Sequence, residues 1–213
     1  MDYNTDSNRQ VLIDIFGDSL ERDPNFILLS PDIKMFNCIA YAMGLDDRWV
    51  DPSDLPWHWW PPVQKDQNPN SLIKAFEYFG FEACGMDDTI EDAYDKVALY
   101  QKDNKWQHAA RVVDNNKYHS KFGESYDGTH SKGNVLLLGY GVPYQIMRRL
   151  KNDAHLTDER KGIAPGYTET KIIVPIGGYC DNVIIYEGKT FLKHYGNEIV
   201  LHKNNTFSIL PLR

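Results

Sequence analysis

The stretch MFNCIAYAMG, residues 35–44, decides how the chain is read. Asn37 is a favourable helix N-cap and Gly44 a favourable stop, so the apolar run between them reads as a short helix with Cys38 at its first position. A thiol placed there faces unpaired backbone amides and the positive end of the helix dipole, and both favour thiolate. A second start competes. Ser30-Pro31 offers a cap followed by proline, and a helix begun there holds Cys38 two turns in, where the dipole has faded. Ile39, Ala42 and Leu45 would then be the inner face of that helix, with the cysteine a small core hydrophobe.

Upstream, the N-terminus MDYNTDSNRQVLIDIFGDSLERD has no basic leader and no long apolar run. The expectation is a soluble cytoplasmic product, any export being non-classical, with no membrane segment. The 213 residues suit one domain with a small appendage, and 42% hydrophobic residues are enough for a packed core. A formal net charge of −7 offers nucleic acid or an anionic membrane no general attraction, so neither is expected as a partner. The three cysteines, Cys38, Cys84 and Cys180, form neither a disulfide framework nor a CxxC knuckle, and reduced thiols are expected.

Downstream, WVDPSDLPWHWWPPVQKDQNPN packs four of the five tryptophans among prolines and shows no regular period, which reads as a rigid aromatic loop. Trp57, Trp59 and Trp60 are either a mini-core under that loop or a cleft wall that binds an extended chain. SLIKAFEYF, residues 71–79, sets Leu72, Ala75, Phe76 and Phe79 on one helical face and ends at Gly80. Short β-type runs follow: KVALYQ (96–101), WQHAARVV (106–113) and KYHSKFG (117–123), the last two joined by a hairpin turn at Asp114-Asn115-Asn116. Another apolar segment ends near residue 150. Residues 151–164 are polar enough for a linker, and residues 165–213 alternate as a small β-rich segment would.

A cysteine nucleophile needs an imidazole held on a rigid element, and His108, opening the run HAARVV, is the best placed of the seven histidines. A third, orienting group would come from HSKFGESYDGTH, where Ser120, Glu124, Asp127 and His130 are all in reach. Asp127 is preferred, because a carboxylate can accept from the His108 ring and stabilise imidazolium. The competing readings are a histidine satisfied at a strand start and an Asp-Gly turn. His119, His130 and Asp127 lack the spacing of a metal cluster, so no metal is expected.

The order of helix-borne Cys38, strand-borne His108 and a polar third member resembles papain-like and transglutaminase-like cysteine enzymes. NCIAYAMG, the WW with prolines, KVALYQ, HAARVV, SKFG and DGTH together are similar to a bacterial family of about this domain size without assigned function, over roughly residues 30–150. The resemblance implies an α+β fold: helices packed on an antiparallel sheet as a catalytic domain over residues 1–150, with the C-terminal β-rich appendage. It also implies cysteine-dependent acyl transfer on an amide of a protein or peptide (hydrolysis, deamidation or cross-linking), with no cofactor. The segment DIKMFN lacks the glutamine that papain-like peptidases carry before the cysteine, and Asn37 is the only amide nearby. The Asn37 side chain and the Cys38 amide are therefore the expected oxyanion donors. The rival expectations are a non-catalytic interaction module built on the Trp/Pro loop and a toxin or effector deamidase acting on a host protein.

Overall fold

The computed structural model describes residues 2–55, 57–132 and 139–162 in full, and the strand backbones of 173–174, 178–179, 182–186, 189–194, 197–201 and 207–211. The chain divides into two units, Met1–Ser53 with Trp60–Gly162, and Asp54–Trp59 with Ile163–Arg213. The architecture is α+β.

In the first unit, α1 (Asp6–Phe16) starts at Thr5, whose side chain accepts from the Asn8 amide, and it stops at Gly17; α2 (Asp18–Glu21) follows directly. Next come β1 (Ile27–Leu28), α3 (Cys38–Met43), β2 (Trp49–Val50) and, in the second unit, β3 (His58–Trp59). The helix read over 71–79 is α4 (Pro69–Tyr78), which starts two residues earlier because Asn68 caps it and Pro69 takes the first turn. After β4 (Glu82–Ala83), the meander of β5 (Tyr94–Lys102), β6 (Lys105–Asp114) and β7 (Lys117–Lys121) lies where alternation placed it. Asp103 and Asn104 both have positive φ, as a two-residue hairpin turn between β5 and β6 requires.

Two elements differ from expectation. Asp127-Gly128, read as a turn, begins β8 (Asp127–Ser131), an inner strand flanked by β7 and β1. Gly128 is needed there because a Cβ would lie 2.6 Å from the Ile27 carbonyl oxygen of β1. The expected linker at 151–164 is instead structured over most of its length. After β9 (Val142–Leu150), a 3-10 turn (Lys151–Ala154) leads into α5 (His155–Arg160). Thr157 ties α5 inward, its hydroxyl donating to the Met43 carbonyl while accepting from Arg149 Nη1.

The sheet order is β1-β8-β7-β6-β5-β9-β4, and each neighbouring pair is antiparallel. Side chains alternate across it. One face carries Ala98, Tyr100, Ala110, Val112, Tyr118 and Phe122 in a core with Leu12, Phe16 and Leu20 of α1 and α2. The other face turns Arg111, His119 and Arg149 toward α3 and α5. In the second unit, β10 (Ile173–Val174) pairs with β11 (Gly178–Tyr179). There β12 (Asn182–Tyr186), β13 (Lys189–His194), β14 (Asn197–Leu201) and β15 (Phe207–Pro211) form an antiparallel meander. Cys180 lies outside the described residues. Among the described residues no helix is long and apolar enough to cross a membrane.

Candidate active site

Of the two helix starts, the structure has the one at Asn37. Its Oδ1 accepts from the Ala40 amide, and Cys38 is the first residue of α3, which ends at Gly44 with left-handed φ of 89°. The same side chain reaches the next strand, accepting from the Val50 amide and donating through Nδ2 to the Val50 carbonyl. Asn37 is therefore engaged as a cap and a tie to β2, and of the two expected oxyanion donors the Cys38 backbone amide is the one left without a helical partner.

The Cys38 thiol is buried, with the residue 7% exposed. Backbone N–H groups of Ala109, of Ile39 and of Cys38 itself, together with the Lys121 charge, favour its thiolate, but burial outweighs them and pushes the thiol up to about 11. The lowered value that the helix start alone suggests is thus overridden by desolvation. The ladder between β6 and β7 runs from Arg111↔His119 to Asp114↔Lys117, so it has ended before Ala109. The sulfur lies against that amide, one residue along β6 from His108.

His108 is fully buried. Tyr140 stacks on its ring at 3.9 Å and 3°, and Tyr100 packs edge-on at 5.4 Å. His108 Nε2 lies 2.8 Å from Ser120 Oγ, Ser120 Oγ lies 2.7 Å from His130 Nε2, and His130 Nδ1 lies 2.9 Å from the Ser131 carbonyl. Burial holds both imidazoles down, His108 well below its ordinary value with His130 adding to the effect, and His130 at about 4. Both rings are therefore neutral at neutral pH.

Only one proton arrangement satisfies this chain. A carbonyl can only accept, so His130 Nδ1 carries the proton and its Nε2 is bare. Ser120 must donate to that Nε2, so it accepts from His108 Nε2–H. The remaining ring nitrogen, His108 Nδ1, then carries a bare lone pair. It is buried and has no hydrogen-bond partner.

The expected bond from Asp127 to His108 does not form. Asp127 Oδ2 accepts from His119 Nε2 at 3.1 Å, and His119 Nδ1 meets the Tyr41 hydroxyl at 2.7 Å, on the α3 side of the sheet. Burial pushes the Asp127 carboxyl up, but the His119 hydrogen bond helps hold it below its ordinary value. Of the candidates for the third position, Ser120 hydrogen-bonds to His108 directly and His130 joins it through Ser120. His130 faces away from His119 and Asp127, because Tyr118↔His130 and His119↔Thr129 are successive pairs in the register. Among the described residues no group of histidine, cysteine and carboxylate side chains could hold a metal ion.

Lys121, opposite Asp127 in the register, is fully buried, and its ammonium donates to the Gly123 and Ser125 carbonyls. Burial lowers it to about 8, against the Asp127 charge. Of the aromatic-loop residues, Trp60 stacks on Trp106 at 5.7 Å and donates to the Gln64 carbonyl, whereas Trp57 and Trp59 belong to the second unit.

Residues 27–148 match the model of a domain of unknown function, DUF7689. The chain belongs to the DUF7689 family. No curated protein and no solved structure matches it. The DUF7689 segment contains Cys38, His108, Ser120, His130 and Tyr140 together, and the hydrogen-bonded chain lies wholly inside it.

Sequence reasoning singled out Cys38 and His108 and counted Ser120 and His130 among its candidates for a third position, but it did not single out Tyr140 or Lys121, which the structure places beside them. The strand-to-strand spacing held a signal for Ser120: HSK on β7 and THS on β8 alternate in step, so Ser120 and His130 lie on one face. Tyr140, from a separate segment, had none.

Proposed function

We propose that this DUF7689 domain is a cysteine-dependent acyl-transfer enzyme acting on an amide of a protein or peptide, with a papain-like division of labour between helix and sheet. Cys38 is the nucleophile and His108 Nδ1 the base. Ser120 and His130 are positioning residues that fix the His108 tautomer and ring. The observation that carries the reading is the bare, buried Nδ1 of His108. Its ring lies on the α1 face and is not hydrogen-bonded to the Cys38 sulfur at rest. The sulfur meets the amide of the next residue, Ala109, where the β6–β7 ladder has ended, and the reaction takes the sulfur through that opening to Nδ1.

The resting pair is a neutral thiol and a neutral imidazole, since burial disfavours both charged forms. The thiol proton passes to His108 Nδ1 as sulfur bonds to the carbonyl carbon, so the base acts during attack. The carbonyl oxygen, now negative, accepts from the Cys38 amide. Imidazolium then returns its proton to the departing nitrogen as the C–N bond breaks, leaving a thioester. Water, or an amine in a cross-linking reaction, gives its proton to His108 and attacks that thioester. The C–S bond then breaks and His108 returns the proton to the departing sulfur, which restores the resting pair. The protein is placed in the cytoplasm on this reading, where its thiols stay reduced.

The test is alkylation of the full chain by iodoacetamide at neutral pH, followed at Cys38 with the more open Cys84 as internal reference. Cys38 reacts faster than Cys84 in the wild type and more slowly than Cys84 in His108→Asn. Ser120→Ala, which removes only a hydroxyl, gives an intermediate rate and covers the case in which His108→Asn fails to fold. A Cys38 slower than Cys84 in the wild type, and unchanged by Ser120→Ala, would overturn the reading.

A further inference from the structure

A cavity of about 400 Å³ opens at the other end of α3, floored by β6, β5 and β9 and walled by Ala42 and Gly44 on one side and Ala154 and Thr157 on the other. That volume is in the range of small-molecule sites. Two guanidinium groups line it. Arg149 is 5% exposed; its Nη1 donates to the Phe79 carbonyl and to Thr157 Oγ1, and its buried Nε has no partner. Arg111 donates through Nε and Nη2 to the Tyr41 carbonyl and stacks over the Tyr41 ring at 4.2 Å.

Among the described residues neither arginine is ion-paired. Of the carboxylates lining the cavity, Asp158 pairs with Lys161 and is largely exposed, and Asp95, opposite Arg149 in the β5·β9 register, is beyond ion-pair distance of it. The Lys96 ammonium, although its residue also lines the cavity, is held by Glu91 and Asp87. Two like charges therefore share one cavity, and the Arg111 charge, after burial, is among the influences that lower Arg149. Guanidinium pairs left without carboxylates suit bidentate oxyanions, and Phe81 and Val97 provide an apolar wall for the remainder of a ligand.

We propose that this cavity binds a small organic anion through a carboxylate or phosphate group held by Arg111 and Arg149. It adjoins Ala42 and Gly44, at the opposite end of α3 from Cys38, so binding is independent of the thiol.

The experiment measures the thermal midpoint of the full chain against increasing inorganic phosphate, and separately benzoate, at constant ionic strength. A saturable rise of several degrees at about 50 mM is expected from at least one of the two, and the one that saturates identifies the preferred headgroup. The rise persists in Cys38→Ala. It is lost in Arg111→Gln and in Val113→Glu, which sets a carboxylate at an exposed lining position without disturbing the core. No saturable rise with either anion, or a rise that survives Val113→Glu, would overturn the site.

Discussion

Neighbouring residues of β7 serve opposite faces of the sheet and give their histidines opposite surroundings. On the α3 face His119 sits between a phenol and a carboxylate, part of a half-open polar chain. On the α1 face Ser120 joins His108 to His130 in a dry chain that contains no carboxylate. A histidine beside a carboxylate is the easier pair to recognise, yet both nitrogens of that ring are engaged. The buried chain leaves one nitrogen bare; on the proposed function, that unsatisfied atom marks the chemical histidine and full satisfaction the structural one.

The sharpest way to break that distinction is to delete each ring in turn. Once a substrate amide is identified, Cys38→Ala and His108→Asn each lower turnover by roughly a thousandfold or more, as members of one catalytic unit do. His119→Ala leaves turnover within about threefold, since on this reading it touches no reacting atom. Steady-state rates on all three variants decide the matter. If His119→Ala is the dead variant, the two faces have been assigned in reverse.

The next largest effect is on stability in acid. An unfolded histidine takes up its proton near pH 6.5, whereas His130 in the fold resists until about 4. The unfolded state therefore binds more protons across that window, and stability falls as pH drops through it, being fully present above 6.5. For His130 alone the loss approaches about 3 kcal/mol by pH 4, and His108 adds to it in the same direction. Urea unfolding at pH 7.5, 6 and 5 measures the slope. His130→Gln flattens it; an unchanged slope in that variant would mean the ring is solvated in the native state.

These two faces were unequally legible in the sequence. The helix at Cys38 was readable because Asn37 and Gly44 act locally, through a cap and a left-handed stop. The meander was readable because alternation and its turn residues are also local. By contrast, β8 was hidden behind Asp127-Gly128, a strong turn signal whose glycine in fact lets β1 approach. HLTDER in α5 reads as solvent-facing because only Thr157 is buried. Cys38 and His108 stood out by residue type, but the Ser120–His130 partnership depends on strand register, and Tyr140 reaches His108 from another segment. Such contacts are properties of the folded sheet, which no short window of sequence contains.

Asn37 tests how far both faces depend on where α3 is held. Asn37→Ala removes the cap of α3 and leaves the Val50 amide and carbonyl without their side-chain partner. The expected loss is about 2 kcal/mol, from a missing cap together with buried groups left unpaired. Denaturant midpoints measure it. Cys38 alkylation in the same variant then reads position separately from stability, since a thiol freed from its helix start should lose its dependence on His108.

The smallest effect concerns the carboxylate that local reading preferred. Asp127→Asn keeps size and polarity but removes the charge that His119 contacts, so a loss of about 1 kcal/mol at pH 7 is expected, modest because the pair is partly open to water. Its pH dependence distinguishes it from the buried chain. A carboxyl held below its ordinary value contributes stability that is present above the unfolded carboxylate value of about 3.9 and is lost as pH falls through the lower, folded value. Its window thus lies below about pH 4, whereas the His130 window lies above that value. Unfolding curves for Asp127→Asn and the wild type should therefore run parallel from pH 7 to 5 and converge only in stronger acid. Convergence already at pH 6 would mean that the Asp127 carboxyl is not held below its ordinary value in the fold.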